Sequence, residues 1–547
     1  MKPIPKDTGS FLKLRTAGQL YVDKTSYLHR IISSSDSCFF IARPRRFGKS
    51  LMITTLKEIF NGRKDLFEDL AIAKTDYDWK KYPVIHLDFC RCATKEGLEE
   101  FKRALANHVS KALAEAGCTY NPALSPGDNL GNAIDELYAA GKQTVLLIDE
   151  YDDPVAQVLD DVELAEKIRN HLATIYAQVK PNTEKLRFVM ITGVSKFSKM
   201  SVFSTMSNLL DLSFKDEYAT MLGYTEAELD EYFTDRMQLQ AEAMEMTYEA
   251  YREELRRMYN GYRFFKLKGE KVYNPVSINL NLAEPGPEFE CYWTSTGRAS
   301  SLMNLIKRGD MLAIDPERVG AVKDSAFDVS DLRHLRPTAM LYQTGYLTIV
   351  DYNPKTKNYR LAVPDEEVRQ DLAKVFASLL ADKDTDWVCT LGAQLQEGEF
   401  ETFFKGLKSL YAGLIYGSTE DSVHESSFAR NLSVLLKSQG FRIMQEVATA
   451  DGRIDLVADH PCGTYIFELK VIDIMRSRAT AVLSTAAAPA AGKIAANPAA
   501  IAMSQAEAKA YAEPYLAPGK PVWLVGLSFE RETRKFLEGV YKEVKIS

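Results

Sequence analysis

The sequence lacks the features that mark secreted, membrane-spanning or strongly basic proteins. Its seven cysteines are scattered over 547 residues without a CxxC pair, so we expect neither a disulfide framework nor a zinc site. No run approaches the roughly 20 apolar residues that span a bilayer, and the N-terminus has no apolar signal segment. The net charge is −7. These absences predict a cytoplasmic protein with reduced thiols, no membrane partner and no overall affinity for nucleic acid.

The first part of the chain alternates strand and helix patterns. At roughly 150 residues per domain, the whole chain of 547 residues is expected to contain three or four domains. The predicted strands are 38–42, 84–89, 144–148 and 188–192, and the predicted helices between them include 98–116 and 164–179. This alternation predicts an α/β fold in which a parallel sheet is covered on both faces.

The loop after the first predicted strand carries Gly48, Lys49 and Ser50 and leads into a helical pattern. This arrangement is typical of the end of a P-loop, where backbone N–H groups and a helix N-terminus hold phosphate oxygens. Lys49 is then expected to reach the terminal phosphates, and Ser50 to hold Mg²⁺. The general pattern has glycine at the place of Arg43, so these three residues alone leave an ordinary turn open as the alternative.

The third predicted strand ends in two carboxylates, Asp149 and Glu150, as in a Walker B element. Asp149 is predicted to lie near the metal ion, and Glu150 to orient the attacking water. Polar residues after the fourth strand either sense the γ-phosphate or form an ordinary strand-end turn; they are Thr192, Ser195 and Lys196.

Five segments together resemble the bacterial AAA-ATPase-like proteins. They read LR at 14–15, YVDKT at 21–25, RPRRFGKS at 43–50, LIDEYD at 147–152 and TGVSK at 192–196. The P-loop of that family characteristically reads RPRRFGKS, so Arg43 is normal there. The resemblance implies a P-loop NTPase sheet with ATP bound by Arg43, Arg45, Arg46, Phe47, Gly48, Lys49, Ser50 and Leu51. It also implies a C-terminal nuclease-like domain of the PD-(D/E)xK superfamily.

The three arginines of this loop, Arg43, Arg45 and Arg46, have two interpretations. They either neutralise triphosphate charge, in this subunit or across a subunit interface, or they form a solvated or carboxylate-paired cluster. Asp23 and Lys24 are similarly open: the resemblance suggests that they lie beside the nucleotide, whereas Asp23 is equally suited to cap a helix.

The middle of the chain is predicted to be helical with a hairpin. An acidic helical pattern covers 225–258, and turns are expected at 260–264 and 273–275. Two strands at 346–352 and 359–363, joined by a polar turn, follow helix-like segments. Helices followed by a hairpin suggest a winged-helix-like module, and such modules bind protein as well as DNA.

The last third combines helices at 400–416 and 425–438 with strands at 443–447, 454–458 and 464–469. A helix at 504–515 and a strand at 522–529 complete it. Asp455 lies on one strand and Glu468 and Lys470 on the next, and period two places the latter two on the same face. Carboxylates can hold Mg²⁺ and a lysine can orient water, as phosphodiester hydrolysis requires.

The spacing D-x(12)-E-x-K resembles the core of the PD-(D/E)xK superfamily. That resemblance implies a restriction-endonuclease-like α/β domain, with Glu425 as the additional helix carboxylate and Gln505 as the polar residue on the following helix. Glu446 is interpreted as structural or as supporting the site. The alanine-rich segment 479–502 is expected to be a loop or a poorly ordered insert, which either lengthens a substrate-facing loop or marks a degraded nuclease.

Together these patterns predict three parts: a P-loop ATPase at 1–220, a helical and winged-helix-like connector at 221–390, and a nuclease-like domain at 391–547. ATP and Mg²⁺ are the expected cofactors, DNA or RNA is the expected substrate, and a homo-oligomer is an option. Two functions stay open. The first is an ATPase coupled to a Mg²⁺-dependent nuclease, with Asp455 and Glu468 as metal ligands. The second is an ATP-dependent switch whose nuclease-like domain recognises nucleic acid or protein without cleavage.

Overall fold

The computed structural model forms two compact units, residues 1–368 and 369–547. It describes residues 1–6, 9–92, 94, 96–196, 209–265, 269–293, 322–323, 337–381, 385–413, 425–449, 452–473, 497–516 and 520–544. The prediction of three domains at 1–220, 221–390 and 391–547 stays a prediction. No helix among the described residues is both long and apolar enough to cross a bilayer.

The first unit contains a parallel five-stranded sheet in the order β2-β3-β4-β1-β5. Its strands are β1 (Cys38–Ala42), β2 (Val84–Asp88), β3 (Thr144–Asp149), β4 (Leu186–Gly193) and β5 (Leu210–Asp211). All four predicted strands are therefore confirmed, to within two residues at either end. Every residue of β3 is buried, as expected for a parallel strand covered on both faces.

Helices surround this sheet. They are α1 (Phe11–Thr16), α2 (Thr25–Ile32), α3 (Lys49–Phe60), α4 (Leu98–Glu115), α5 (Pro126–Ala139), α6 (Asp153–Ala156) and α7 (Val162–Tyr176). Apolar residues of α4, α5 and α7 form one core with the inner strands. The parallel strands bring the loop after β1, the carboxylates after β3 and the residues after β4 to one edge of the sheet.

The middle of the chain is helical, as predicted, with short antiparallel strands. It contains α8 (Glu226–Ala243), α9 (Tyr248–Tyr259), β6 (Asn260–Tyr262), β7 (Val272–Tyr273), α10 (Pro275–Ala283), β8 (Val322–Lys323), α11 (Pro337–Thr344), β9 (Thr348–Asn353) and β10 (Asn358–Ala362). The hairpin of β9 and β10 is confirmed. The expectation of a turn at 260–264 is wrong in part, because β6 pairs with β7. The winged-helix-like module stays a prediction.

The second unit contains a mixed five-stranded sheet in chain order, β11 to β15. Helix α12 (Glu366–Ala381) spans the boundary; then come α13 (Thr385–Gln396), α14 (Phe400–Gly413), α15 (Glu425–Lys437), β11 (Arg442–Thr449), β12 (Gly452–His460), β13 (Gly463–Ile472), α16 (Pro498–Ala508), β14 (Val522–Glu530) and β15 (Phe536–Val544). Only β13 and β14 are parallel, and such a pair requires a crossover connection. Helix α16 lies in that connection.

Two predictions for this unit need correction. Residues 498–502 of the alanine-rich segment are helical, because Asn497 accepts hydrogen bonds from the N–H groups of Ala499 and Ala500 and thereby caps α16. The helix predicted at 504–515 therefore begins earlier and ends at Ala508. The rest of the segment, 479–496, lies outside the described residues. Strand β15 was not predicted, because most of its residues are exposed or half-buried.

The two faces of this sheet carry different cores. Helices α14 and α15 pack on one face, where Phe467 and Leu469 are buried. Helix α16 packs on the other face with a smaller cluster that includes Ala506 and Tyr511. Because side chains alternate along a strand, Glu468 and Lys470 belong to the face of α16.

Candidate active sites

The phosphate loop closes tightly around Lys49. Gly48, the residue before α3, has a left-handed φ of +88°, which glycine adopts without steric cost. The Lys49 side chain is buried. Its Nζ donates hydrogen bonds to the carbonyl oxygens of Arg43 and Pro44, at 3.1 Å each, and lies 3.6 Å from Oε1 of Glu150. The ammonium is thus held at the loop by three oxygens.

The carboxylates after β3 have different surroundings. Asp149 is buried, and its Oδ1 accepts hydrogen bonds from the Thr192 hydroxyl at 2.6 Å and from the Glu150 N–H at 3.0 Å. Glu150 has φ +50°, an unfavourable backbone conformation for a residue with a side chain. With this backbone conformation the Glu150 side chain faces Lys49. The Asp149 side chain, at the end of β3, contacts Thr192 of β4 instead.

A cavity of about 310 Å³ adjoins the phosphate loop. Its lining includes six predicted nucleotide-binding residues and one predicted catalytic residue: Arg46, Phe47, Gly48, Lys49, Ser50, Leu51 and Glu150. The lining also includes apolar residues such as Leu20, Tyr21 and Leu222. Small-molecule sites commonly combine an apolar wall with a few polar groups in a volume of about 300–1,000 Å³.

The three loop arginines are separated by the fold. Arg43 is buried; it donates hydrogen bonds to the carbonyl oxygens of Ala42, Ser213 and Tyr218 and lies over the Phe264 ring. Burial lowers its pKa to about 10. Arg45 pairs with Asp153 at 3.1 Å.

Only Arg46 of these three arginines lines the cavity. Its guanidinium also donates to the Tyr292 carbonyl. The geometry therefore favours a structural role for Arg43, a carboxylate-paired role for Arg45 and a ligand-facing role for Arg46.

A clamp that the sequence analysis missed joins the end of β3 to the end of β4. Asp152 is buried and accepts hydrogen bonds from the N–H groups of Val194 and Ser195, at 3.1 and 2.6 Å. The Tyr151 hydroxyl donates to the Ser195 carbonyl. Burial, followed by the charge of Glu150, raises the pKa of Asp152 to about 7. In the sequence, the segment DEYDD at 149–153, which follows an apolar strand, is the pattern that could have indicated this contact.

The other polar residues that follow β4 or precede α2 have structural partners. Lys196 pairs with Asp211 at 2.9 Å. Asp23 accepts hydrogen bonds from the N–H groups of Thr25 and Ala71, which supports its interpretation as a cap. Lys24 lines the cavity, but its Nζ also lies 2.5 Å from Glu228.

In the second unit, two predicted acids lie on neighbouring strands of one sheet. Glu468 is buried, and its Oε1 accepts a hydrogen bond of 2.6 Å from Gln505 on α16. Oδ2 of Asp455 accepts one of 2.8 Å from the Leu469 N–H. Strand β13 therefore carries Glu468, and its Leu469 N–H holds the Asp455 carboxylate by a hydrogen bond. The fold thus brings Asp455, Glu468 and Gln505 together.

The remaining predicted residues of this site differ in what the structure shows. Lys470 lies on β13 two residues after Glu468 and is half-buried. Glu425 begins α15, and its side chain lies outside the described residues. Glu446 is exposed and pairs with Arg453 at 3.3 Å, which favours a supporting role. Within the described ranges, no three His, Cys, Asp or Glu side chains are grouped as metal ligands.

Comparisons with known proteins identify both regions. The sequence profile described as "Predicted AAA-ATPase" matches residues 5–203, and that of the PD-(D/E)XK nuclease superfamily matches residues 423–539. A protein of Azotobacter chroococcum mcd 1, named "Uncharacterized protein in vnfD 5'region", is 30% identical over 548 residues, which cover 97% of each chain. The chain belongs to this AAA-ATPase-like family. The AAA-ATPase-like part contains β1 to β4 of the parallel sheet, and the PD-(D/E)XK part contains β11 to β14 and the start of β15.

Solved structures give only weak likenesses to this AAA-ATPase-like protein. The ORC2 protein of Aeropyrum pernix, solved as ADPNP and ADP complexes, aligns with a TM-score of 0.24 at 12% identity, over 66% of this chain and 92% of that one. CDC6P from Pyrobaculum aerophilum aligns with a TM-score of 0.20 at 9% identity, over 69% and 95%. Scores this low say nothing about function.

Proposed function

We propose that this protein binds and hydrolyses ATP at the phosphate loop and cleaves phosphodiester bonds of nucleic acid at the acid pair of its second unit. The observation that carries the ATPase part is the convergence of Lys49, Glu150 and Asp149 at one edge of the parallel sheet. Lys49 and Glu150 line the cavity there, and Asp149 is fixed by Thr192. Predicted AAA-ATPase membership supports the same activity.

The residues of this edge suit a nucleotide with Mg²⁺. Lys49 would exchange its hydrogen bonds to the Arg43 and Pro44 carbonyls for phosphate oxygens, and Gly48 lets the loop backbone approach them. Ser50 and Asp149 are oxygen ligands of the kind that Mg²⁺ takes. The bound metal would neutralise charge on the phosphates. Glu150 would leave its ion pair with Lys49 and accept a hydrogen bond from the attacking water.

The ATPase proposal is tested with Glu150→Gln and Lys49→Ala in the full chain. Glu150→Gln removes the proton acceptor, so we expect ATP turnover to fall at least about 100-fold while nucleotide binding persists. Lys49→Ala is expected to weaken ATP binding as well as turnover. Phosphate release and calorimetric titration measure the two quantities.

Lys57→Ala is the matched control for these variants. Lys57 lies on the same helix α3 and pairs with Glu115, outside the cavity lining. It should leave both quantities unchanged. Turnover by Glu150→Gln at the level of the unaltered protein would contradict the assignment of Glu150.

The nuclease part of the proposal rests on Asp455 and Glu468, which the sheet of the second unit brings together with Gln505. Mg²⁺ is usually bound by one or two protein carboxylates together with substrate phosphate and water, so this pair fits the ion. When bound, the metal would supply an activated water and neutralise charge on the phosphate. Gln505 would orient Glu468, and Lys470 would stabilise negative charge on the cleaved phosphate.

Cleavage of labelled DNA and RNA in the presence of Mg²⁺ tests this part. Glu468→Gln and Lys470→Ala are each expected to lower the rate about 100-fold or more. Glu507→Gln is the control, because Glu507 lies on the same helix α16, two residues from Gln505, and pairs with Lys542 at 2.6 Å. If the unaltered protein cuts no DNA or RNA, the alternative of an ATP-dependent switch that recognises without cleavage replaces the nuclease proposal.

A further inference from the structure

Lys509, the residue that follows helix α16, lies one turn beyond Gln505. The N–H of Lys509 donates to the Gln505 carbonyl at 3.2 Å, so the helical register continues to Lys509. Residues four apart lie on the same face of a helix. Because Gln505 contacts Glu468 directly, Lys509 follows on the face that borders this acid.

The ammonium of Lys509 extends over the start of β12, the strand that carries Asp455. A Cβ atom placed on Gly452 would lie 2.7 Å from Nζ of Lys509 and 2.7 Å from the Tyr511 hydroxyl. Nζ also lies 5.6 Å from the centre of the Tyr511 ring. Tyr511 is buried, and its hydroxyl donates to the Arg453 carbonyl at 3.0 Å. Glycine at 452 therefore leaves space for the lysine, and a fixed tyrosine supports it.

The surroundings of Lys509 favour its protonated form. Its pKa is raised by a hydrogen bond with Tyr511 and, more weakly, by the negative charges of Glu468 and Asp455. Two other lysines of this unit have carboxylates as direct partners: Lys520 pairs with Asp459, and Lys542 pairs with Glu507. Among the described residues, no carboxylate oxygen lies within 4 Å of the Lys509 ammonium.

We propose that Lys509 binds a backbone phosphate of the nucleic acid at this site. The inference rests on the proposed nuclease function for its substrate class. Two carboxylates, Asp455 and Glu468, would repel a phosphodiester that approaches them. Lys470 supplies one positive charge from strand β13, and Lys509 supplies a second from the position that follows α16. The two cations would attract the sugar–phosphate backbone of the nucleic acid toward the acid pair. Binding through phosphate is independent of base sequence.

The test measures binding separately from cleavage. Fluorescence polarisation with labelled 20-nucleotide single-stranded and duplex DNA, in Ca²⁺ and over a range of salt, gives Kd and its salt dependence. For Lys509→Ala we expect Kd to rise about three- to tenfold at 0.1 M salt. The slope of log K against log salt should fall by about 0.7 for single strands and about 0.9 for duplex. Lys509→Arg should restore both, because guanidinium binds phosphate.

Lys408→Ala is the matched control. Lys408 is exposed on α14, which packs on the opposite face of the sheet, so its loss should leave Kd and the salt slope unchanged. With Mg²⁺, Lys509→Ala should raise KM more than it lowers kcat. Glu468→Gln should instead act chiefly on the cleavage rate, which falls about 100-fold or more. Thermal unfolding of each variant establishes that it folds.

The outcomes separate this inference from the nuclease proposal. If the unaltered protein binds DNA without cutting it and Lys509→Ala weakens that binding, the nuclease proposal is wrong and the phosphate contact stands. If the unaltered protein cuts DNA and Lys509→Ala matches it in Kd, salt slope and KM, the phosphate contact is wrong. Absence of DNA binding by the unaltered protein overturns both.

Discussion

The first candidate site lies at the edge of the parallel sheet where its strands end, and the second lies on the face of the mixed sheet that α16 covers. They differ in how deeply their charges are held. At the phosphate loop, Arg43, Lys49 and Asp149 are buried. At the nuclease-like site only Glu468 of the acid pair is buried, and Lys470 and Lys509 are partly exposed. Buried charges require partners that stay in place, so the first site is part of the core of its unit, whereas much of the second lies on a surface.

This difference separates effects on stability from effects on activity. Substitutions among the buried charges of the first site should change the free energy of unfolding by several kcal/mol, because they leave buried polar groups without partners. Substitutions among exposed charges of the second site should change it little. Four predictions test this contrast.

The largest effect is expected for Arg43→Met. The guanidinium donates to three carbonyl oxygens, and methionine fills part of the space without replacing any donor. We expect the free energy of unfolding to fall by about 4 kcal/mol, measured by urea unfolding of the full chain. Arg30→Met, at an exposed arginine that lies over Tyr27, should cost less than about 1 kcal/mol. Equal losses in both variants would remove the contrast.

A pH dependence of similar size is expected from Asp152. Its pKa in the folded protein is about 7, against 3.8 for the free group. Because the folded state holds this proton more tightly, the unfolded state loses it first as pH rises. Stability from this group is present below about pH 4 and is lost as pH rises through about 7, by about 4 kcal/mol in total.

Asp152→Asn does not ionise and should lack this dependence. The free energy of unfolding of both proteins is measured by urea titration at pH 5 and at pH 8. The difference between the two proteins at pH 5 is then compared with their difference at pH 8. The variant should lose less stability than the unaltered protein over this interval. A constant difference would show that Asp152 is ionised in the fold throughout.

A smaller effect is expected at Gly526, which lies beside Glu468 in the register of β13 and β14. A Cβ atom there would lie 2.2 Å from the Ala499 carbonyl oxygen of α16. Gly526→Ala should push this helix, with Gln505, away from Glu468 and cost about 2 kcal/mol. Nuclease activity should fall with it. Gly463→Ala, whose Cβ would meet only atoms at 3.3 Å or more, should cost less in the same urea titration.

The smallest effect is expected for the pair of Glu446 and Arg453. Their side chains are 62% and 65% exposed, so solvent screens the pair. A double-mutant cycle with Glu446→Ala and Arg453→Ala should give a coupling free energy below about 0.5 kcal/mol. A coupling above about 2 kcal/mol would contradict the contrast, because this exposed pair would then be held as tightly as the buried charges of the first site.

Sequence patterns predicted the elements best where one signal dominated. The buried strands β1 to β4 are apolar runs between polar loops, and the acids of both sites follow or interrupt such runs. The short strands β6 and β7 escaped prediction because an Asn-Gly-Tyr segment is typical of turns and only pairing makes it a strand. Helix α16 begins earlier than predicted, directly after Asn497, whose side chain caps it. Its alanines give no amphipathic pattern from which this start could be predicted.

The sequence by itself determined the order of strands and helices and the identity of the charged residues, because periodicity and motif spacing are local properties. Only the tertiary structure decided what each charge does. It buried Arg43 among backbone carbonyls, left Arg46 at the cavity, and placed Lys509 beside acids that lie about 40 to 55 positions earlier in the chain. Such roles depend on which groups meet after the sheet and its helices pack, and no local pattern specifies that.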